Sequence, residues 1–191
     1  MSNPAAMRWD DRYRQEKEFW LEREPRQLLT NYAHLLPNEG RALDAASGVA
    51  INGIYLARLG LKVFALDISE YALRLAKQRA ETMGILLEAA VVDLSHPWLP
   101  EAHFEVIVNF HFLERATFSI YRKALKPGGL IIFDTFTKHP KQKDAPEYYL
   151  DPGELLKSFQ DYEVIHYSEQ ELDPSERHPE RGLAQLIARK P

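Results

Sequence analysis

The chain has 191 residues, 45% hydrophobic and 27% charged, which suits one soluble globular domain with a sizeable core. It contains no cysteine, and this excludes disulfides, thiolate metal sites and cysteine nucleophiles. The net charge is −4, and the stretch from Asp161 to Glu176 has several acids and no Lys or Arg, so the balance speaks against a nucleic-acid partner.

The N-terminus, MSNPAAMRWDD, lacks the basic-then-apolar pattern of a secretory signal, and no apolar run is long enough to cross a bilayer. A cytoplasmic protein without a membrane partner is the expectation. Trp9 to Leu21 carries Trp9, Tyr13, Phe19 and Trp20 among many charges, and Pro25 interrupts it. Leu28, Leu29, Tyr32, Leu35 and Leu36 then recur at helical spacing. Residues 1–36 are therefore expected to form a helical cap on a single domain covering 1–191. Pro37, Asn38 and Gly40 mark a turn.

Strands and helices then alternate. ALDAA reads as the first strand, and a helix from about Ile51 to Leu59 stops at Gly60. Lys62–Leu66 is the second strand; Ser69 is the expected N-cap of a helix ending at Gly84. Leu86–Val92 and Phe104–Asn109 are the third and fourth strands. A helix over about Arg115–Leu125, a KPGG turn and the strand LIIFDTF follow. Asp151 is expected to open a helix with Pro152 in its first position. Tyr162–Tyr167 and Leu183–Ala188 close the chain as an antiparallel pair. This order predicts an α/β fold: a doubly wound, seven-stranded, mostly parallel sheet with an antiparallel last strand. Ligands of such sheets bind beyond the carboxyl ends of the strands. Those ends carry Ala45–Gly48, Asp67, Asp93, Asn109–Phe112 and Phe136. If only the last strand is antiparallel, the loop with Arg177, His178 and Arg181 returns to that same side.

LDAASGVAINGIYLA followed by KVFALD reads as the first βαβ unit of a nucleotide-binding domain. A turn of small residues admits a ligand to the backbone, and an acid ending the next strand can accept from both ribose hydroxyls. The succession LDAASGVAING, ALDIS, VVDLS, FEVIVNFHFL and ALKPGGLIIFDTFT resembles class I S-adenosylmethionine-dependent methyltransferases. WDDRYRQEKEFW, RHPERGLAQLIARKP and the short length resemble the tellurite-resistance and thiopurine branch of that family. The resemblance implies S-adenosyl-L-methionine as cofactor and S-adenosyl-L-homocysteine as product. It implies that Asp44 supports the turn and the methionine ammonium, and that Ala46, Ser47 and Gly48 form the cofactor turn. It further implies Asp67 on the ribose, Ile68 against adenine, Asp93 and Leu94 at the adenine amino end, and Asn109 at the methionine portion. Ala50 departs from the family's usual glycine; its Cβ is expected to narrow the ligand space and to resist a positive φ.

Several residues have two readings. Asp67 is a ribose acceptor or a solvated carboxylate; Asp93 is an adenine acceptor or a turn cap. His111, between two phenylalanines, takes a proton from the acceptor or is a packed structural histidine. Arg177, His178 and Arg181 bind an anionic substrate or form an exposed polar loop. Trp9, Tyr13, Phe19 and Trp20 are a lid over the cofactor, with Trp9 and Tyr13 also meeting the substrate, or a helix packed on the sheet. The histidines show no helical ligand pair, so no metal is expected. No base–nucleophile cluster stands out, so the catalytic residue stays open, with His111 and His178 as candidates.

The expected activity is methyl transfer to a small-molecule acceptor, a thiol, thiolate or chalcogen oxyanion among them. An already ionised acceptor needs no strong base. The expected state is a monomer or weak homodimer. The alternatives are a non-catalytic cofactor-binding module and a methyltransferase acting on protein or RNA. A dinucleotide oxidoreductase would need G-x-G-x-x-G in the first turn, where this chain has A-S-G-V-A-I-N-G.

Overall fold

Alternating apolar residues bury both faces of a central sheet. In β4 (Phe104–Phe110), Val106 and Val108 join one core cluster while Ile107 joins the other. In β5 (Leu125–Thr137), Leu130 and Ile132 face one cluster, Ile131 and Phe133 the other. A strand buried on both sides needs helices on both sides. α3 (Gln27–Asn31), α4 (Ile51–Arg58) and α5 (Glu70–Thr82) cover the first face through Leu29, Ile54, Leu56 and Leu73. α6 (Ala116–Ala124) and α7 (Glu154–Ser158) cover the second through Phe118, Tyr121 and Leu155. The computed structural model describes residues 3–138, 147–172 and 181–191. Arg177 and His178, and the loop residues Lys141 and Lys143, lie outside them.

The other strands are β1 (Arg41–Ala45), β2 (Lys62–Asp67), β3 (Leu87–Val91), β6 (Glu163–Leu172) and β7 (Arg181–Arg189). The sheet order is β3-β2-β1-β4-β5-β7-β6. β1 through β5 pair in parallel, and β7 runs antiparallel to both β5 and β6. This is the expected doubly wound sheet. Chain order reverses between β1 and β4, which places the ligand-binding crevice beyond their carboxyl ends.

Two local expectations differ from the structure. KPGG is an excursion inside β5: Phe104 pairs with Leu125 but Val106 with Leu130, so extra residues bulge out, with Gly128 at φ 75°. α7 starts later than Asp151 because Gly153, at φ 76°, turns the chain first. The N-terminal segment is helical as expected, with α1 (Pro4–Gln15) and α2 (Lys17–Leu21) separated at Glu16.

Candidate active site

The turn after β1 is held from beneath by two buried carboxylates. Asp44 accepts from the Gly53 amide at 2.8 Å, taking one of the free N–H groups at the start of α4. This bond requires Gly53, because a Cβ there would stand 2.9 Å from Asp44 Oδ2. Gly53 had no role in the sequence reading, although its fixed spacing from Asp44 and its place at the helix start were both visible. Burial pushes Asp44 up to about 7.

Asp67, at the end of β2, accepts from the Gly48 amide (2.7 Å) and from the Ser69 amide (2.8 Å). It therefore ties the turn to the start of α5. Burial pushes its carboxyl up, against those backbone bonds. A carboxylate has about four acceptor positions, and the backbone fills two of these.

The turn itself is left-handed at Ala46 (φ 52°), Gly48 (φ 55°) and Ala50 (φ 51°). The expectation for Ala50 is thus corrected. It adopts the positive φ, at a cost of about 1–2 kcal/mol, and its buried methyl packs into the core with Ile54 instead of entering the ligand space. Alanines at positive φ are strained backbone of the kind found at functional sites.

Above the turn lies a cavity of about 400 Å³, in the range of small-ligand sites. Asp44, Ala46, Ser47, Gly48, Asp67, Ile68, Asp93 and Leu94 all line it, from the carboxyl ends of β1, β2 and β3. Asn109 is placed otherwise. Its buried side chain accepts from the Tyr121 hydroxyl (3.1 Å) and donates to the Phe112 carbonyl (2.8 Å), which braces the loop after β4.

α1 roofs this cavity. Asp10 accepts from the Ser69 hydroxyl (2.6 Å) and the Tyr71 amide (3.1 Å) at the start of α5. Asn3 caps α1 and donates to Asp93 at 2.8 Å. Asp93 also accepts from Ser95, whose bonds hold its carboxyl below the usual range. Tyr13 is buried over Gly48, so close that a Cβ on Gly48 would collide with its hydroxyl. Burial and the neighbouring Asp67 push its phenol far above the ordinary value. Trp9 and Trp20 flank Tyr13 at ring distances of 5.8 and 5.0 Å. Trp9 and Tyr13 thus line the cavity, with Tyr13 on the cofactor turn.

The far end of the cavity is cationic. Arg23, Arg26 and His111 line it around Asp134. Arg26 pairs with the fully buried Asp134 of β5 at 3.0 Å and donates to His111 Nε2 at 2.6 Å. A guanidinium only donates, so that nitrogen is the unprotonated one. His111 has φ 58°, and its amide bonds to both the carbonyl (2.8 Å) and the carboxylate (3.2 Å) of Asp134. Burial raises Asp134 while Arg26 opposes the rise. Arg181 stacks on Phe136 (3.7 Å), whose ring also meets His111 (4.5 Å). Arg181 therefore stands one ring behind the cavity. Arg23, Arg26 and Asp134 had no place in the sequence reading.

A bound cofactor suits this arrangement on an observation of the site itself. Ser47 Oγ and Trp20 Nε1 belong to cavity-lining residues, and both are buried without a hydrogen-bond partner among the described residues. Such groups normally find one, and a polar ligand over the turn would supply it.

Comparison with known proteins agrees. Residues 42–129 match the model of a methyltransferase domain family. The chain is 31% identical over 112 residues to the ubiquinone biosynthesis O-methyltransferase of Cereibacter sphaeroides, a match spanning 56% of this chain and 45% of that protein. It therefore spans under half the length of that relative. TehB of Haemophilus influenzae superposes with a TM-score of 0.77 at 19% identity, over 96% of this chain and 67% of TehB. A structure concerned with conversion of a disulfide bond into a thioacetal group during echinomycin biosynthesis superposes with a TM-score of 0.73 at 20% identity, over 97% of this chain and 93% of that one. At such identities the likeness is one of fold. Residues 42–129, a little under half of the chain, are thus similar to a methyltransferase domain, and the fold of the whole chain is one it shares with TehB.

Proposed function

We propose that this chain transfers the sulfonium methyl of S-adenosylmethionine to a small-molecule acceptor, and that residues 1–191 act as one methyltransferase unit capped by 1–36. The observation that carries the reading is the turn itself: Gly48 held by Asp67 at 2.7 Å, beneath a cavity walled by the strand-end acids Asp44, Asp67 and Asp93. When bound, the cofactor supplies a methyl on a positively charged sulfur with a good leaving group. Asp67 offers its remaining acceptor positions to the two ribose hydroxyls. Ile68 and Leu94 flank the adenine, and Asp93 faces its amino group. Asp44 and the Ala46–Gly48 turn receive the methionine end, and Ser47 Oγ gains its missing partner there.

The remaining task of the protein is to hold nucleophile and methyl in line and to exclude water. The α1 roof, with Tyr13, Trp9 and Trp20, closes the cavity over the turn. The cationic far end favours an acceptor that arrives as an anion, such as a thiolate or chalcogen oxyanion, which needs no base. The structure concerned with conversion of a disulfide bond into a thioacetal group is a sulfur-chemistry relative in fold that is consistent with such an acceptor. A hydroxyl acceptor is the second reading, favoured by the ubiquinone biosynthesis relative. It would need a base, and the His111 Nε2 lone pair is already engaged by Arg26. Among the described residues no helix is long and apolar enough to cross a membrane, and no group of three His, Cys, Asp or Glu is placed to hold a metal ion. The cysteine-free chain suits a cytoplasmic setting, and the reading requires no second subunit, so a monomer or weak homodimer is sufficient.

The test is a labelled-methyl assay against thiols, selenite, tellurite, amines and phenols. Transfer to a thiol or chalcogen acceptor is expected. Transfer to phenols alone would favour the second reading. Tight cofactor binding without transfer to any acceptor would make the chain a binding module.

A further inference from the structure

Two guanidinium groups stand at the acceptor end, and one buried carboxylate serves them. Arg26 has Asp134 at 3.0 Å. Arg23 lines the same cavity three residues earlier, half-buried, and among the described residues it has no carboxylate within ion-pair distance. Its guanidinium rests on the rings of Trp20 (5.3 Å) and Phe19 (5.6 Å). Aromatic faces orient a cation but do not neutralise it. Burial, and then the charge of Arg26, lower its pKa, and the more distant Asp134 offsets this only in part. Glu24 and Glu114 also line the cavity. Glu24 is exposed to solvent, and Glu114 bonds to the Ala116 amide. The far end therefore presents a pre-oriented guanidinium to the cavity with no carboxylate in direct contact with it among the described residues. Keeping it there costs free energy unless a ligand brings the missing negative charge.

We infer that Arg23 binds a permanently anionic group, a carboxylate or a phosphate, carried by the acceptor beside its methyl-receiving atom, with Arg26 fixed next to it by Asp134. This rests on the methyltransferase reading and narrows it to an acceptor with two parts, a nucleophile and a separate anionic handle. The planar fork of arginine suits either oxyanion. A lone neutral thiol or amine would leave Arg23 unpaired. Asp134 is a positioning residue here, since it acts through Arg26 and His111.

The experiment is calorimetric titration with benzoate, phenyl phosphate and the uncharged benzamide, each with and without S-adenosylhomocysteine. Wild type should bind at least one of the anions ten-fold or more tighter than benzamide, and the stronger of the two distinguishes carboxylate from phosphate. Arg23→Gln should lose that preference while S-adenosylhomocysteine affinity changes less than two-fold, and Arg23→Lys should retain part of it. Equal binding of anions and benzamide, no binding of either anion, or an unchanged preference in Arg23→Gln would overturn the inference. Failure of S-adenosylhomocysteine to bind wild type would count against the methyltransferase reading instead, and the anion titrations without it still decide the role of Arg23.

Discussion

The two ends of the cavity are built on different principles. At the cofactor end, carboxylates hold backbone amides close in sequence: Asp44 to Gly53, Asp67 to Gly48 and Ser69. At the acceptor end, side chains hold side chains across the whole chain: Arg26 to Asp134 is a separation of 108 residues, and Arg26 to His111 one of 85. Backbone amides are present whatever the side chains are, so the first arrangement needs only an acid and a glycine at the right spacing. The second needs particular partners brought together by the fold. The first is suited to a ligand shared by many proteins, the second to a ligand particular to this chain.

The largest expected effect of breaking this contrast is at Gly48. Gly48→Ala puts a methyl into the Tyr13 hydroxyl and a side chain at φ 55°. A loss of about 2–3 kcal/mol is expected, from left-handed strain and overpacking together. In a chain of this length that lowers Tm by roughly 4–12 °C. In a Tyr13→Phe background the hydroxyl part of the loss should disappear and the backbone part should remain. Thermal melts of the four proteins measure both. Equal losses in the two backgrounds would mean that α1 does not press on the turn. Arg23→Gln is the matching lesion at the other end, and it should leave the turn and its ligand undisturbed.

A smaller effect concerns the charge beneath the turn. Folded Asp44 titrates at about 7, above its unfolded value. Folding therefore takes up a proton, and this contribution is full below about pH 4 and lost as pH rises through about 7. Burial pushes Asp67 and Asp134 in the same direction. Asp44→Asn keeps an acceptor for Gly53 and removes the buried charge. Urea unfolding should find it about 1–2 kcal/mol more stable than wild type at pH 8, with the gap closing near pH 4. It should also bind S-adenosylhomocysteine more weakly, since the carboxylate facing the methionine end is gone. A variant less stable than wild type at pH 8 would show that Asp44 is stabilising as an anion.

The same contrast explains what was legible in the sequence. The alternation of strands and helices and the acids Asp44, Asp67 and Asp93 at the strand ends follow from periodicity and short spacings. Gly53 was passed over, although it is the last small residue of ASGVAING and stands nine residues after Asp44. Arg23 and Arg26 looked like surface charges around Pro25, because nothing local tells them from their neighbours in EREPRQ. Asp134 did leave a trace: a lone acid inside LIIFDTF demands a buried partner. Which cation answers it is decided by tertiary structure. Asn109 shows the reverse case, where the strand end was located correctly but the side chain turned to Tyr121, away from the cavity. α7 and the KPGG excursion differ from expectation because Gly153 and Gly128 use left-handed φ values that glycine allows but does not announce.

The central claim is that the carboxylate of Asp67, having fixed Gly48, also receives the cofactor sugar. Titration of wild type and Asp67→Ala with S-adenosylhomocysteine, with NAD as control, tests it most directly. Wild type should bind S-adenosylhomocysteine and not NAD, and Asp67→Ala should bind at least ten-fold more weakly, the loss of about 1.5–3 kcal/mol for a charge-assisted bond. Equal affinity in the two proteins would contradict the account.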